Sequence, residues 1–330
     1  MSLPSFEVIR PSTAHAAIDA LARHGADVQM VAGGTDLIPS MKQGLFAPRV
    51  LLDLKPIRAF DFIRFDPERG LSIGALTRIS TIVSSRVIAE QFPVLHEAAK
   101  TIASPLLRNM GTLGGNLCLD TRCLYYNQSQ FWRDALGYCI KKEGTICHVA
   151  PGGHFCWAVF SGDTAPALLS LDATVDLLSP RGLRQVPLAQ FYANDGITHL
   201  TKARDEMVTE VRIPASSAGW RGIYKKLRIR QSIDYPLAGV AAVMQRDEAG
   251  VCRDVRVALT AVNPAPQLVD ASMLKGRGYD ADLVEQVAHA AICTGKPLRT
   301  SASTPEYRRQ MVRVFVRRAL RDLWLERPTL

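Results

Sequence analysis

The chain has 330 residues, 47% of them hydrophobic and 22% charged, enough to bury a large core and to divide into two or three domains. No run approaches the roughly 18–20 apolar residues of a membrane span, and Met1 to Glu7 have neither a basic start nor the apolar centre of a signal peptide, so a cytoplasmic protein is expected. The 40 Lys and Arg against 31 Asp and Glu give +9, but no recognised nucleic-acid motif accompanies that excess, and neither nucleic acid nor membrane is expected as a partner.

In chain order, residues 13–24 predict an amphipathic helix behind a Ser12/Thr13 cap, ended by Gly25. A short buried strand over 28–32 runs into the glycine turn Gly33-Gly34-Thr35-Asp36, and 49–54 is a second strand. This alternation predicts a small parallel α/β subdomain over residues 1–55. Residues 56–217 read as a mixed α+β subdomain, with strands at 71–75 and 173–178 and helices at 78–90, 93–103 and 164–171. A linker over 214–219 leads to a third domain, 218–330, with strands at 238–245 and 255–261 and helices at 280–294 and 304–325. In the last helix Val312, Val316, Ala319, Leu320 and Leu323 form a core-facing stripe. On the same helix Arg309, Arg313, Arg317 and Arg321 recur every four residues, where like charges repel by a few tenths of a kcal/mol each. That stripe gains by facing carboxylates, although a solvated face is the simpler expectation.

Two glycine turns carry the first chemical signal. In Val31-Ala32-Gly33-Gly34-Thr35-Asp36-Leu37 a strand enters a turn whose successive amides can converge on an anion, and glycine lets a phosphate approach the backbone. It is neither a Walker A loop nor Gly-x-Gly-x-x-Gly. Taken alone, such a turn is more often plain loop geometry. A second turn, Thr112-Leu113-Gly114-Gly115-Asn116, raises its significance, because two such turns in separate subdomains can close on a pyrophosphate from both sides. The second signal follows directly. Five of seven cysteines lie between positions 118 and 156, in a stretch with little regular hydrophobic period. Reduced thiols grouped in this way favour a metal over disulfides. Cys123, Cys139, Cys147 and Cys156 are separated by 15, 7 and 8 residues, loose for zinc knuckles but open to a larger iron–sulfur object. Iron–sulfur, zinc and unpaired thiols remain the alternatives, and His148 and His154 are further possible ligands. Cys252 and Cys293 read as ordinary buried cysteines.

The paired turns, taken with Ile73-Gly74-Ala75-Leu76-Thr77, Ser161-Gly162-Asp163-Thr164-Ala165-Pro166, Glu210-Val211-Arg212-Ile213-Pro214, Lys225-Lys226-Leu227-Arg228 and Ser232-Ile233-Asp234-Tyr235, resemble the FAD-binding medium subunit of the molybdenum hydroxylases, the xanthine dehydrogenase and carbon monoxide dehydrogenase family. The resemblance runs along the whole chain. It implies an α+β FAD-binding fold of the vanillyl-alcohol-oxidase type, with a C-terminal domain of antiparallel sheet and helices. It implies that Val31, Ala32, Gly33, Gly34, Thr35, Asp36 and Leu37 hold the FAD pyrophosphate largely through backbone amides. Gly114, Gly115 and Asn116 would close the other side, with Thr77, Asp163, Lys226 and Asp234 near the flavin, ribityl or phosphate groups. A lysine there would stabilise reduced, anionic flavin. The plainer roles are a helix cap for Asp163 and surface charge for Lys226.

Common medium subunits pass almost directly from the Gly-Gly-Asn turn to the Ser-Gly-Asp segment, whereas here residues 119–160 intervene. Within the family this insertion resembles that of the 4-hydroxybenzoyl-CoA reductase branch. The resemblance implies a 4Fe–4S cluster on Cys123, Cys139, Cys147 and Cys156, with Cys118 spare. It further implies a molybdopterin-containing large subunit, a small subunit with two 2Fe–2S clusters, ferredoxin as electron donor and a dimer of heterotrimers. Arg122, Arg133, Lys141 and Lys142 give the insertion a positive tilt that could dock an acidic ferredoxin. No Ser-His-Asp or His-x-x-Glu-His pattern supports hydrolysis, so no catalytic residue beyond the flavin is expected.

Overall fold

The computed structural model describes residues 3–325. Its first unit is a three-stranded parallel sheet, β1 (Glu7–Ile9), β2 (Val28–Val31) and β3 (Val50–Asp53), in the order β1-β3-β2. The helix Ala14–His24 starts where the Thr13 hydroxyl accepts from the Ala16 N–H, and Gly25, at φ +53°, closes it. Ala17, Ile18 and Leu21 pack it onto Leu52, Leu54 and Ile57. All-parallel pairing brings the carboxyl ends of β2 and β3 to one edge, and the first glycine turn leaves from there.

The second unit is a five-stranded antiparallel sheet formed by β4 (Ile63–Asp66), β5 (Gly70–Gly74), β6 (Thr174–Ser179), β7 (Gly182–Pro187) and β8 (Met207–Ile213), in the order β4-β5-β8-β6-β7. Leu71, Ile73, Val175, Leu177, Val211 and Ile213 alternate onto its buried face and form one core with Ile79, Ile82, Leu95, Ala98, Ala165 and Leu168 of the covering helices. The helix expected over 78–90 is two helices, Ile79–Ser84 and Arg86–Gln91. At the break Ser85 adopts an extended conformation and caps the second helix through its hydroxyl.

The C-terminal sheet, β9 (Arg221–Leu227), β10 (Ala238–Arg246), β11 (Cys252–Thr260) and β12 (Gln267–Val269), is antiparallel in the order β12-β11-β10-β9. Both faces of β10 are buried. Val240, Ala242 and Met244 face the helices Ala281–Thr294 and Pro305–Leu325, while Ala241 and Val243 join the core of the second unit. The linker expectation therefore misses how firmly this sheet is attached. The arginine stripe is not simply solvated either: Arg313 and Arg317 pair with Glu285 on the neighbouring helix.

The cysteine insertion has one short helix, Gln130–Ala135. Its base is closed by Arg122 and Val159, which exchange backbone hydrogen bonds of 2.8 Å in both directions. Two internal cations hold it in place. Arg133, 2% exposed, donates to the carbonyls of Gln43 (2.9 Å) and Gln128. Lys141, its side chain 5% exposed, binds Asp120 (2.7 Å) and the Gly196 carbonyl (2.8 Å). These two residues are struts, which corrects the expectation that they offer charge to a docking partner. Buried cations need fixed acceptors, and here the backbone of the flanking units supplies them.

Candidate functional site

The two glycine turns differ in what their amides do. Among the described residues, the backbone N–H groups of Gly33, Gly34, Thr35 and Asp36 donate to no group of the chain. Gly34 sits at φ +71°, and a Cβ on Gly33 would collide with the Met110 carbonyl oxygen. Glycine is required there for backbone to approach backbone. In the second turn, by contrast, Gly114 N–H donates to the Ala75 carbonyl (2.8 Å), Gly115 N–H to the Thr112 hydroxyl (3.2 Å) and Asn116 N–H to the Thr112 carbonyl (2.9 Å). The Asn116 side-chain oxygen accepts from both the N–H (3.1 Å) and the hydroxyl (2.6 Å) of Thr164. Thr77 is likewise occupied, its hydroxyl exchanging hydrogen bonds with the Phe62 backbone.

The segment 101–113 connects the remaining candidates. Met110 and Gly111 lie against Gly33, and Leu113 N–H reaches the Thr77 carbonyl at 2.9 Å. The Thr101 carbonyl accepts from Lys226 Nζ at 3.0 Å, and the Ala103 carbonyl accepts from Ile233 N–H at 2.9 Å. Ala103 and Ile233 both adopt left-handed backbone, φ +42° and +56°, a local strain that the surrounding contacts hold in place. Asp234 is turned toward Arg230 Nε (2.9 Å) within its own loop.

Asp163 does not cap the helix Thr164–Ser170 through its side chain. Its carboxylate instead accepts from Lys226 Nζ (2.9 Å) and the Tyr224 hydroxyl (2.7 Å), and the lysine side chain is only 2% exposed. Lys226 is thus not surface charge. Burial pushes the Asp163 carboxyl up from the usual range, while Lys226 and the Tyr224 hydroxyl pull it back down.

A third cluster spans all three units. Asp36, in the first turn, accepts from Arg122 and from the Tyr235 hydroxyl (2.9 Å), and the Arg122 guanidinium lies 4.0 Å from the Tyr235 ring centroid. Arg122 Nε is buried without a partner. Arg122 directly precedes Cys123, so the base of the cysteine insertion is tied to the glycine turn.

Cys123, Cys139, Cys147 and Cys156 line a single pocket, together with Tyr125, Tyr126, Lys141 and His148. The loop between the second and third cysteines folds back on itself, with Ile140 N–H on the Ile146 carbonyl (2.9 Å) and Gly144 N–H on the Cys139 carbonyl (2.9 Å). A Cβ at Gly144 would stand 2.6 Å from the Cys139 nitrogen, so the turn needs glycine. Ala158 N–H donates to Cys156 Sγ at 3.4 Å. Burial pushes the Cys123 thiol up, and the Cys156 thiol up to about 12. Cys118 lies apart, packed against the main core. Among the described residues no group of three or more His, Cys, Asp or Glu side chains is arranged to hold a metal ion. What the pocket offers is a set of four soft thiols behind aromatic walls, a donor set that suits zinc as well as an iron–sulfur cluster.

A model of the FAD binding domain in molybdopterin dehydrogenase matches residues 4–216, and one of the CO dehydrogenase flavoprotein C-terminal domain matches residues 222–323. The chain belongs to the FAD-binding medium subunits of the molybdenum hydroxylase family. This medium subunit is 31% identical to the carbon monoxide dehydrogenase medium chain of Hydrogenophaga pseudoflava, over 97% of this chain and 98% of that one. It is 35% identical to the aldehyde oxidoreductase FAD-binding subunit PaoB of Escherichia coli, over 84% and 88%. Among solved structures, a Cu,Mo-CO dehydrogenase in its cyanide-inactivated form superimposes with a TM-score of 0.82 at 27% identity, covering 99% of this chain and 100% of that one. The medium subunit is therefore an oxidoreductase subunit that binds FAD.

Sequence reasoning did not assign a site role to Met110, Gly111, Thr101, Tyr224 or Tyr235, and it gave Arg122 the wrong one. Only Tyr235 stands inside a family motif, Ser232-Ile233-Asp234-Tyr235. The others contribute through backbone atoms or through partners distant in the chain. Cys293, expected to be buried, is exposed.

Proposed function

We propose that this medium subunit carries both FAD and a 4Fe–4S cluster and passes electrons between them within a heteromeric molybdenum enzyme. The convergence of Cys123, Cys139, Cys147 and Cys156 on one pocket, beside an arginine bound to the first glycine turn, carries this reading. The free amides of residues 33–36 are the donors for the FAD pyrophosphate. Val31, Ala32 and Leu37 frame them, and Gly114, Gly115, Asn116 and Thr77 hold the opposite wall in place. Asp163 and Lys226 form the buried charged pair on the flavin side, with Asp234 shaping the loop beside it. Bound together, FAD and the cluster supply conversion between one-electron and two-electron carriers. In the division into residues 1–55, 56–217 and 218–330, the first two units supply the glycine turns and the cluster cysteines, and the third supplies Lys226 and Asp234. The partners are a molybdopterin-containing large subunit and a small subunit with two 2Fe–2S clusters, in a cytoplasmic dimer of heterotrimers.

Two directions of electron flow fit this wiring. The insertion's resemblance to the 4-hydroxybenzoyl-CoA reductase branch supports ferredoxin as donor for reductive dehydroxylation to benzoyl-CoA. The names of the relatives, carbon monoxide dehydrogenase, aldehyde oxidoreductase and nicotinate dehydrogenase, favour an oxidising complex whose electrons leave through this chain. Anaerobic purification followed by iron, sulfide, zinc and flavin analysis tests the common core. About four iron and four sulfide per FAD are expected, retained in Cys118→Ser and lost in Cys156→Ser. Zinc without sulfide would remove the cluster. Turnover of an aldehyde, or of 4-hydroxybenzoyl-CoA with reduced ferredoxin, by the purified complex then decides the direction.

A further inference from the structure

Beside the four-cysteine pocket lies a much larger concavity of about 770 Å³, between the insertion and residues 292–309 of the C-terminal unit. Cys123 lines both, so whatever fills the larger one stands next to the thiols. Its charged lining is Lys296, Arg299 and Arg309 against Glu306 alone, all four exposed. Trp157 forms part of the wall from the insertion side, 5.4 Å from Lys296 Nζ at its ring centroid.

The C-terminal rim is rigidly built. Arg308, 1% exposed, donates to the carbonyls of Leu237 (2.8 Å), Ala261 (2.5 Å) and Leu298. Asn263 adds a bond to the Thr294 carbonyl at 2.9 Å and accepts from Lys296 N–H at 3.1 Å. Three backbone acceptors on one buried guanidinium fix the loop that presents Lys296 and Arg299, with Arg309 following on the helix. Within the insertion, meanwhile, Arg133 and Lys141 are consumed as struts, Arg122 is bound to Asp36 and Lys142 pairs with Glu143 at 2.7 Å. The cations free to meet a partner beside Cys123 therefore come from the C-terminal unit.

We propose that this basic concavity is the docking surface for an acidic electron-carrier protein that exchanges electrons with the four-cysteine centre. The inference rests on the cluster reading of those cysteines. Its chemistry is charge complementarity around a site that touches one cluster ligand, the arrangement that speeds encounter and fixes orientation. In each encounter one electron passes, the carrier being oxidised as the centre is reduced, or the reverse in an oxidising complex. No other group is needed.

The test uses the full chain with its cofactors and an acidic ferredoxin as probe. Binding is measured by titration calorimetry across a range of ionic strength. Alkylation of Cys293, an exposed thiol lining the same concavity, is followed in parallel. The wild-type chain should bind more weakly as salt rises, and bound ferredoxin should slow Cys293 alkylation several-fold. The variant K296E/R299E/R309E should weaken binding on the order of tenfold or more and abolish the salt dependence. The variant R23E/R58E/R69E, with the same change in net charge on exposed residues of the first two units, should bind as the wild type does. Equal binding by both variants, or unprotected Cys293 at saturating ferredoxin, would overturn the proposal. Both readouts are independent of electron transfer, and iron and sulfide content is measured separately. A failed docking surface and a failed cluster reading therefore give different results.

Discussion

The two glycine turns look nearly alike in the sequence and do different work in the fold. In the first, glycines let the chain pass against Met110 and leave four successive amides free. In the second, the amides are spent on Ala75 and Thr112, and Gly114 is needed because a Cβ would lie 2.9 Å from the Ala75 Cβ and carbonyl oxygen. The lesson is that a Gly-Gly pair signals close backbone approach, and only the hydrogen-bond inventory tells whether a ligand or the protein itself is being approached.

The largest effect should come from the buried pair behind the second turn. Lys226→Met leaves the Asp163 carboxylate buried without its cation, at a cost of about 3–5 kcal/mol. Burial already holds the Asp163 pKa above its ordinary value. A raised carboxyl pKa contributes stability that is full below the unfolded value of about 3.9 and is lost as pH rises through the folded value. Without Lys226 that folded value climbs further. The variant's deficit, read from the Tm of the apo-protein, should therefore be smaller at about pH 5 than at about pH 8. A deficit independent of pH would show that Asp163 is not charged against Lys226.

Gly33→Ala should cost about 2–4 kcal/mol through collision with the Met110 carbonyl, and the protein that remains folded should lose FAD. Gly114→Ala should cost about 1–3 kcal/mol yet leave FAD affinity within a few-fold of the wild type, measured by fluorescence titration. Equal loss of FAD from both variants would erase the distinction between the turns. Asn116→Ala should cost about 1–3 kcal/mol by orphaning the Thr164 N–H and hydroxyl, seen as a fall in Tm. The smallest effect belongs to Glu285→Gln, which loosens the partly exposed pairing with Arg313 and Arg317 and should change stability by less than about 1 kcal/mol.

Much of the fold was legible because local patterns carried it. The helix Ala14–His24 had its cap and its terminating glycine, and β10 and β11 were readable as apolar runs bounded by turn residues. The sequence reading places none of β1, β4, β7, β8, β9 and β12. In β1, β4 and β12, three or four residues with mixed burial give too little period to separate strand from loop, and β9 begins only two residues after a predicted linker.

By itself the sequence determined the family, through motifs in a fixed order, and nominated the four thiols by their spacing together with the resemblance. Only the tertiary structure decided which residues share a site. The Arg122 contact to Asp36 spans 86 positions, and that of Tyr235 spans 199. Asp163 was freed from capping by a lysine 63 positions away. The fate of a buried charge or an amide depends on which acceptor the packed chain brings within about 3 Å, and spacing along the sequence does not encode that distance.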